Sequence, residues 1–363
     1  MSNPVNIVIL GANGQVGTEA ALYLSMQHDV QITGMVRAQY GAILLQLAGI
    51  PWEVLDHRQI SPAAAKVLSC ADAVVDCTFP SGQQQQLVPL IESNTSAVMQ
   101  LMKKDAVFIH SSSIAAFGMP NNSPELKNYR FARTGYAKVK RLAEQRITQL
   151  GRQHAVRTAH LRLGQVHGVL QSVSRQIFSA IERGGLTAMG TPDSLCNIAF
   201  AHSVAEAYKQ AAFGRLSDGQ IETVVSNPQW SLTKLYDTYQ QLAGRDFKVT
   251  YRLNAKPSSR SSFLGRVVRL ATPFRSILES QVLPLFPRMV PRLKGEYRVQ
   301  AVHRDRNVER TSFESAPLFN LIGAVPSTIV EKTRSSPEET IVAYRQIEAR
   351  LEAALQNGVL KGC

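Results

Sequence analysis

Three side chains in the middle of the sequence have the types and the order needed for proton transfer at a hydroxyl or carbonyl carbon. Ser113 ends a serine run, and Tyr136 and Lys140 follow in a stretch of helix-forming composition. Residues four apart lie on one face of a helix, so the phenol and the ammonium are expected side by side. A phenol titrates at about pH 10, but a neighbouring ammonium stabilises the phenolate and lowers its pKa. We therefore predict a catalytic set in which Tyr136 is the general acid–base, Lys140 lowers its pKa, and Ser113 hydrogen-bonds the reacting oxygen.

A glycine-rich turn near the N-terminus predicts where a dinucleotide cofactor would bind. Gly11, Gly14 and Gly17 follow an apolar run and precede a stretch with helical periodicity. The first glycine allows a sharp turn, the second lets a pyrophosphate approach the backbone, and the third lets the helix pack on the sheet. The spacing is G-x-x-G-x-x-G rather than the standard G-x-G-x-x-G, so a tight turn without a ligand stays the alternative.

The pattern around these motifs predicts an α/β fold with a Rossmann-type, doubly wound parallel sheet. Apolar segments that suit buried strands alternate with helix-like stretches along the first half of the chain. The predicted strands are residues 6–10, 30–37, 52–56, 71–79 and 106–113. The glycine turn would then follow the first strand, and Ser113 would end the fifth.

The end of the second predicted strand bears on the choice of cofactor. NAD-binding units carry an acid there for the ribose 2′-hydroxyl, whereas an arginine accommodates a 2′-phosphate. This chain has Gly34 and Met35 at that point, and Arg37 follows. We therefore predict NADP(H) rather than NAD(H), with a merely solvent-exposed arginine as the alternative. Asp56, at the end of the third strand, is predicted to meet the adenine.

Four segments together resemble the extended short-chain dehydrogenase/reductases, a family of NAD(P)-dependent epimerase/dehydratase-like proteins. The segments are GANGQVG (11–17), SSSIAAFG (111–118), YAKVK (136–140) and LRLGQVHG (161–168). The resemblance covers most of the chain and is strongest over residues 5–170. It implies an NADP-binding Rossmann domain in residues 1–180, with sheet-completing segments near 195–245 and 313–327. It also implies a smaller, mostly helical C-terminal substrate domain within residues 181–363.

The same resemblance implies which residues hold the cofactor. They are Gly11, Asn13, Gly14, Gln15, Val16, Gly17, Arg37, Asp56, Thr78, Tyr136 and Lys140. Members of this family often form homodimers through the helix that carries the tyrosine and the lysine, so a homodimer is expected here by resemblance alone.

Departures from the family pattern bear on the substrate. Dehydratases of the family carry an acid just after the catalytic hydroxyl residue, whereas Ile114 and Ala115 follow Ser113 here, which argues against dehydration. Nucleotide-sugar epimerases usually have an asparagine where this chain has Gln165, and an arginine near Cys196. Both are missing, which weakens a nucleotide sugar as substrate. The predicted substrate contacts are Gln165, Arg252, Arg288 and Arg292, and any of the three arginines could replace the missing charge.

A basic segment late in the chain has three interpretations. Residues 251–310 carry 13 Lys and Arg against 4 acidic residues, and residues 263–295 also hold apolar and proline-rich stretches. This part could be a lid over a lipophilic substrate, a surface for peripheral contact with anionic lipid, or ordinary packing of the substrate domain. Nucleic-acid binding is not predicted, because aromatic and basic residues do not alternate there.

The overall composition favours a globular enzyme of the reducing cytoplasm. The chain has 363 residues, 44% of them hydrophobic and 18% charged, and its four cysteines show no CxxC spacing. We recognise no signal peptide and no transmembrane stretch. No metal site is predicted, and His110, His167 and His202 are interpreted as structural histidines.

These observations favour an NADP(H)-dependent oxidoreductase that acts on the carbonyl or secondary alcohol of a small molecule. One alternative is a nucleotide-sugar 4-epimerase with tightly bound NAD. A second alternative, from another class, is a non-catalytic NADP-binding sensor protein.

Overall fold

The structure, a computed structural model, describes residues 3–80, 84–117, 135–252 and 336–361. The strands are β1 (Val5–Leu10), β2 (Val30–Val36), β3 (Trp52–Val54), β4 (Ala73–Asp76), β5 (Val107–Ser113), β6 (Arg157–Leu163), β7 (Gln165–His167), β8 (Gly185–Met189), β9 (Ile198–Phe200), β10 (Gln220–Val224) and β11 (Lys248–Arg252). The α-helices are α1 (Gln15–Leu24), α2 (Ile43–Leu47), α3 (Pro62–Cys70), α4 (Gln84–Met99), α5 (Gly135–His154), α6 (Ser172–Glu182), α7 (Ala201–Ala212), α8 (Leu232–Ala243) and α9 (Pro337–Lys361). Short 3-10 helices span Gln39–Ala42 and Ile114–Phe117.

Seven of the strands form one parallel sheet, in the order β10-β6-β5-β4-β1-β2-β3. Strands β2 and β3 lie on one side of β1, and β4 lies on its other side. The order of strands therefore reverses between β1 and β4. Doubly wound sheets bind ligands in the crevice at the carboxyl ends of such a pair. The predicted fold class is confirmed, because the sheet is parallel and Rossmann-like, with helices on its flanks.

The sheet is apolar on both faces, as its central strands require. In β1, Ile7 and Ile9 belong to one buried cluster, and Val8 and Leu10 belong to a second. Alternate side chains of a strand point to opposite faces, so a strand covered by helices on both sides reads as a continuous apolar run. That requirement explains why the run at residues 6–10 predicted a buried parallel strand.

Element ends and two strand pairs differ from the sequence prediction. The fourth strand ends at Asp76 rather than at residue 79, because Thr78 turns back to donate to the Asp76 carboxylate. Within the segment near 195–245 that was expected to complete the sheet, β10 joins the main sheet beside β6, whereas β9 pairs with β7. Strands β8 and β11 form another parallel pair. The predicted domain boundaries stay a prediction, and segments 263–295 and 313–327 lie outside the described residues.

The last described helix, α9, is hydrogen-bonded to the C-terminal ends of α1 and α2. Arg350 in α9 donates to the carbonyl oxygen of Leu22 at 2.9 Å and to that of Ala48 at 3.3 Å. These carbonyls lie at the C-terminal ends of α1 and α2, where helical acceptors lack partners within the helix. Within the described ranges, no helix combines the length and the apolar character that crossing a bilayer requires.

Candidate functional site

The glycine turn between β1 and α1 has the geometry that a diphosphate requires. Gly11 has φ of +70°, and a Cβ at Gly17 would lie 2.5 Å from the Gly11 carbonyl oxygen, so both positions require glycine. A Cβ at Gly14 would meet only that same oxygen, at 3.1 Å, so the rest of its surroundings are open. Helix α1 begins at Gln15 with no side-chain cap and no acid in its first turn. Its N-terminal N–H groups and its positive dipole end therefore suit an anionic group.

The predicted adenosine contacts lie along the neighbouring strands. Arg37 follows β2 directly and is exposed, and Asp56 lies two residues beyond β3 and is also exposed. The Asp56 carboxylate accepts the backbone N–H of Arg58 at 3.0 Å. Asn13 lies against the chain that follows β2, since a Cβ at Gly41 would be 2.5 Å from its Nδ2 atom. The residues predicted for the adenosine end of the cofactor are thus placed along one sheet edge.

Of the other residues predicted to hold the cofactor, Gln15 and Val16 belong to the first turn of α1. The Gln15 side chain is directed to α6, because its Oε1 atom accepts the N–H of Ser172 at 3.2 Å. Val16 is half-buried and packs on the core. Thr78 follows β4, and its methyl group would be 3.1 Å from a Cβ at Gly11.

Ser113, Tyr136 and Lys140 meet at the carboxyl edge of the sheet. Ser113 is the last residue of β5 and is buried, and the other two lie on the first turns of α5. The Ser113 hydroxyl lies close enough to the Tyr136 hydroxyl to affect its pKa. The Lys140 Nζ atom is buried and donates to the carbonyl oxygen of Ser111 at 2.7 Å. The i and i+4 spacing thus brings the predicted acid–base and the ammonium to the end of one strand.

Burial acts on both ionisable groups of this set. Partial burial raises the pKa of Tyr136 above its ordinary value, and the nearby Ser113 hydroxyl offsets part of that rise. Burial lowers the pKa of Lys140, whereas the negative charge of Asp76 acts in the opposite direction. In the protein alone, Tyr136 is therefore a neutral phenol at pH 7, which can donate a proton to a developing alkoxide.

Phe79 is part of the same site, although the sequence analysis did not identify it. Its ring centroid is 5.2 Å from that of Tyr136, in an edge-to-face arrangement, and 5.0 Å from the Lys140 Nζ atom. Both aromatic side chains are 42% exposed. A phenylalanine after a buried strand carries no distinctive sequence signal, so only its position reveals it.

A buried ion pair joins α5 to the strands beneath the site. Glu144 accepts from Arg162 through both carboxylate oxygens, at 2.9 and 2.7 Å, and also from the hydroxyl of Ser112. The two charged side chains are almost fully buried, where an ion pair persists only with such complete hydrogen bonding. Glu144 lies four residues after Lys140, just as Lys140 lies four residues after Tyr136. Helical periodicity could therefore have indicated from the sequence that Glu144 lies on the same helix face.

The predicted substrate contacts are only partly described. Gln165 begins β7, two residues beyond Leu163, which is in register with Ser113. The backbone N–H of Gln165 donates to the Asn197 carbonyl at 2.8 Å. Arg252 ends β11 and is exposed, in register with Met189 of β8. Arg288 and Arg292 lie outside the described residues.

Of the three histidines noted in the sequence, His110 and His167 are buried and His202 is half-buried. His167 is bonded to the Tyr239 hydroxyl at 2.7 Å, and burial lowers its pKa to about 3. Burial also lowers the pKa of His202 to about 4 and that of His110 below its ordinary value. Across the described ranges, no group of three or more His, Cys, Asp or Glu side chains is arranged to hold a metal ion.

Solved structures with this arrangement of strands and helices include several sugar-nucleotide epimerases. A UDP-glucose 4-epimerase from Thermotoga maritima, solved with UDP-glucose, is 14% identical with a TM-score of 0.53, covering 70% of this chain and 88% of its own. A UDP-glucuronic acid 4-epimerase from Bacillus cereus, in complex with NAD, is 15% identical with a TM-score of 0.54, covering 69% and 87%. A UDP-N-acetylglucosamine 4-epimerase from Methanobrevibacter ruminantium is 16% identical with a TM-score of 0.52, covering 70% and 87%. At these identities the likeness shows the fold alone.

Comparison with curated protein sequences finds no significant match. Residues 7–211, more than half of the chain, match the NAD dependent epimerase/dehydratase family. The matched region runs from the glycine turn through Ser113, Tyr136 and Lys140 to the end of α7. The chain is therefore an enzyme of the NAD dependent epimerase/dehydratase family.

Proposed function

We propose that this enzyme transfers hydride between a nicotinamide dinucleotide and the carbonyl or secondary alcohol carbon of a small molecule. The observation that carries the proposal is that Ser113, Tyr136 and Lys140 meet where β5 ends, with the Ser113 hydroxyl close to that of Tyr136 and with Lys140 on the same helix face. These groups lie at the carboxyl edge of the sheet, which is also the edge where the glycine turn follows β1. A proton donor and a cofactor cradle at one edge meet the needs of hydride transfer coupled to proton transfer.

Ser113, Tyr136 and Lys140 each have a separate role in the proposed reaction. When bound, the nicotinamide supplies or accepts the hydride, which is chemistry of the cofactor itself. In the direction of reduction, Tyr136 donates its phenolic proton to the oxygen of the reacting carbonyl, and Ser113 hydrogen-bonds the same oxygen. Lys140 stabilises the resulting phenolate by its charge. In the direction of oxidation, Tyr136 accepts the proton of the alcohol.

For the cofactor we propose NADP(H). The support is the exposed Arg37 directly after β2, together with glycine and methionine at the strand positions where an acid would favour NAD. Gly11, Gly14 and Gly17 would hold the diphosphate at the start of α1, and Arg37 and Asp56 would lie at the adenosine end. Equilibrium titrations with NADPH and NADH, followed by nicotinamide fluorescence, measure the preference directly.

The variant Tyr136→Phe tests the assignment of the acid–base. It removes only the hydroxyl and keeps the ring, so we expect NADPH still to bind while turnover on a panel of ketones and alcohols falls by about 10²- to 10⁴-fold. The matched control is Tyr23→Phe, which removes a hydroxyl from the last turns of α1. Full activity in Tyr136→Phe would overturn the assignment.

A second candidate function is 4-epimerisation of a nucleotide sugar, which is the reaction named for several structures of similar fold. An epimerase would keep its cofactor through gel filtration and would interconvert UDP-sugars without net change in nicotinamide absorbance. Oxidoreduction would instead consume added NADPH in proportion to product. Tight NADPH binding without turnover of either class would point to a non-catalytic sensor.

A further inference from the structure

One phenylalanine ring at the candidate site contacts both ionisable groups of the proposed reaction. Phe79 lies three residues beyond β4, and its ring meets that of Tyr136 edge to face, at a centroid distance of 5.2 Å and an interplanar angle of 61°. The Lys140 Nζ atom lies over the same ring, 5.0 Å from its centroid. Tyr136 and Lys140 are on successive turns of α5, so a side chain from another segment bridges them.

Hydrogen bonds fix the chain that leaves β4 just before this ring. The Asp76 carboxylate accepts both the N–H and the hydroxyl of Thr78, at 2.9 and 2.6 Å. The N–H of Cys77 donates to the carbonyl oxygen of Leu10 at 3.1 Å. These bonds hold the start of the segment against β1, so Phe79 reaches α5 from an anchored turn.

Packing in the core does not account for the position of Phe79. Its side chain is 42% exposed, and among the described residues neither of the two buried apolar clusters includes it. Its ring and cation contacts within the same ranges are those with Tyr136 and Lys140. The ring is therefore placed where it acts on these two groups rather than where it would bury the most surface.

An aromatic side chain suits both contacts in a way that an aliphatic one does not. The face of a phenyl ring is partly negative and its edge is partly positive, so aromatic pairs prefer edge-to-face geometry and cations prefer the face. One N–H of the Lys140 ammonium is bonded to the Ser111 carbonyl oxygen at 2.7 Å. The Phe79 ring gives the ammonium a second attractive partner at a position where Lys140 is 4% exposed.

We propose that Phe79 is a positioning residue whose ring holds the Tyr136 phenol and the Lys140 ammonium in place beside Ser113. This proposal rests on the proposed function for the roles of those groups. Tyr136 lies in the first turn of α5 and is 42% exposed, so the surrounding side chains enclose only part of its ring. Without Phe79 the phenol hydroxyl spends less time in the orientation that proton transfer requires.

The variant Phe79→Leu tests the role of the ring by separating kcat from KM. Leucine keeps an apolar side chain but has no aromatic face, so we expect kcat to fall by about 3- to 30-fold while KM stays within about twofold. Phe79→Tyr keeps the aromatic face and should restore most of the lost kcat. A rise in KM with unchanged kcat would mean that the ring only lines the pocket, and a loss of kcat that Phe79→Tyr does not restore would mean a merely structural role. Either result would overturn the inference.

The matched control is Phe213→Leu. Phe213 lies at the C-terminal end of α7, is 43% exposed, and has the Lys209 Nζ atom 5.8 Å from its ring centroid. Lys209 is paired with Asp29, directly before β2, which places this second ring and lysine at the amino edge of the sheet. The control thus removes a ring of similar exposure and cation contact far from the candidate site, and we expect kcat and KM to stay unchanged.

Urea unfolding tests the contact in the whole chain without any activity. Because the ring and the ammonium attract each other, Phe79→Leu combined with Lys140→Met should destabilise the protein by less than the sum of the two single variants. Phe213→Leu combined with Lys140→Met should be additive, because these side chains lie at opposite edges of the sheet. Additive destabilisation in the Phe79 pair as well would overturn the inference.

The two proposals can fail separately. Unchanged kcat and KM in Phe79→Leu would overturn the inference and leave the proposed function standing. Absence of any turnover in the wild-type enzyme would overturn the proposed function and with it the role of Phe79 in that reaction, whereas the unfolding experiment would still decide whether the ring and the ammonium interact.

Discussion

At the scale of single residues, Glu19 shows how strongly burial can change the pKa of a carboxyl group. It lies in α1 and is buried, and its carboxylate accepts the N–H groups of Val169 and Leu170 at 3.1 and 2.6 Å. It also accepts from the Gln171 side chain at 2.9 Å. Burial nevertheless raises its pKa from 4.5 to about 7, because no cation is among the groups that offset it. The helix of the glycine turn is thereby tied to the chain before α6.

Replacing Glu19 by glutamine should change how stability depends on pH. Since the carboxyl binds its proton more tightly in the folded state, its contribution is most favourable below pH 4.5 and is lost as pH rises to about 7. The loss amounts to about 3 kcal/mol. Urea unfolding between pH 5 and 8 should show the wild type losing stability relative to Glu19→Gln as pH rises. Parallel curves would contradict the raised pKa, and Glu92→Gln, on an exposed side chain, is the control.

At the scale of elements, the strand-to-helix turn and helix α5 do most of the positioning. The turn brings backbone N–H groups to the carboxyl edge, and α5 carries Tyr136, Lys140 and Glu144 at successive spacings of four residues. Glu144 is bonded to Arg162 of β6, which resists rotation of α5 about its axis. The orientation of the predicted acid–base is thus coupled to the sheet.

Two alanine substitutions separate the structural role of this turn from its ligand role. Gly17→Ala places a methyl 2.5 Å from a backbone oxygen, so we expect destabilisation of about 1–3 kcal/mol in urea unfolding. Gly14→Ala meets only one atom, at 3.1 Å, so the fold should persist while NADPH affinity falls by about tenfold or more. Unchanged NADPH affinity in Gly14→Ala would contradict the proposal that this turn binds the diphosphate.

The control for backbone strain is Gly49→Ala. Gly49 has φ of +68°, and a Cβ there would meet nothing within 4 Å. We expect a cost of about 1–2 kcal/mol from the left-handed conformation alone. NADPH affinity should be unchanged, because the position lies at the end of α2.

At the scale of the whole molecule, the interior holds several neutral imidazoles. Burial, above other causes, lowers the pKa of His160 and of His167 to about 3. Each group titrates at 6.5 when exposed, so its contribution to stability is complete above pH 6.5 and is lost as pH falls. The loss is about 1.4 kcal/mol per pH unit for each histidine. We therefore expect this enzyme to be sensitive to mild acid.

His160→Gln tests this expectation at a fully buried position. The glutamine amide can replace the bond between the His160 Nε2 atom and Thr148, which is 2.8 Å long. Between pH 6 and 5, the free energy of unfolding should fall less steeply than in the wild type, by about 1.4 kcal/mol per pH unit. The exposed His28→Gln should leave the slope unchanged, and equal slopes in all three proteins would contradict the prediction.

The sequence by itself determined the fold class, since a parallel sheet covered on both faces requires continuous apolar runs separated by helices. It also determined where Ser113, Tyr136 and Lys140 would meet, because strand ends and helical periodicity are local properties. Only the tertiary structure decided that Asp76 lies beside His110, that Phe79 covers Lys140, and that Glu19 accepts from Gln171, 152 residues away. Such contacts depend on strand order and on the packing of distant segments, which leave no periodic signal in a single sequence.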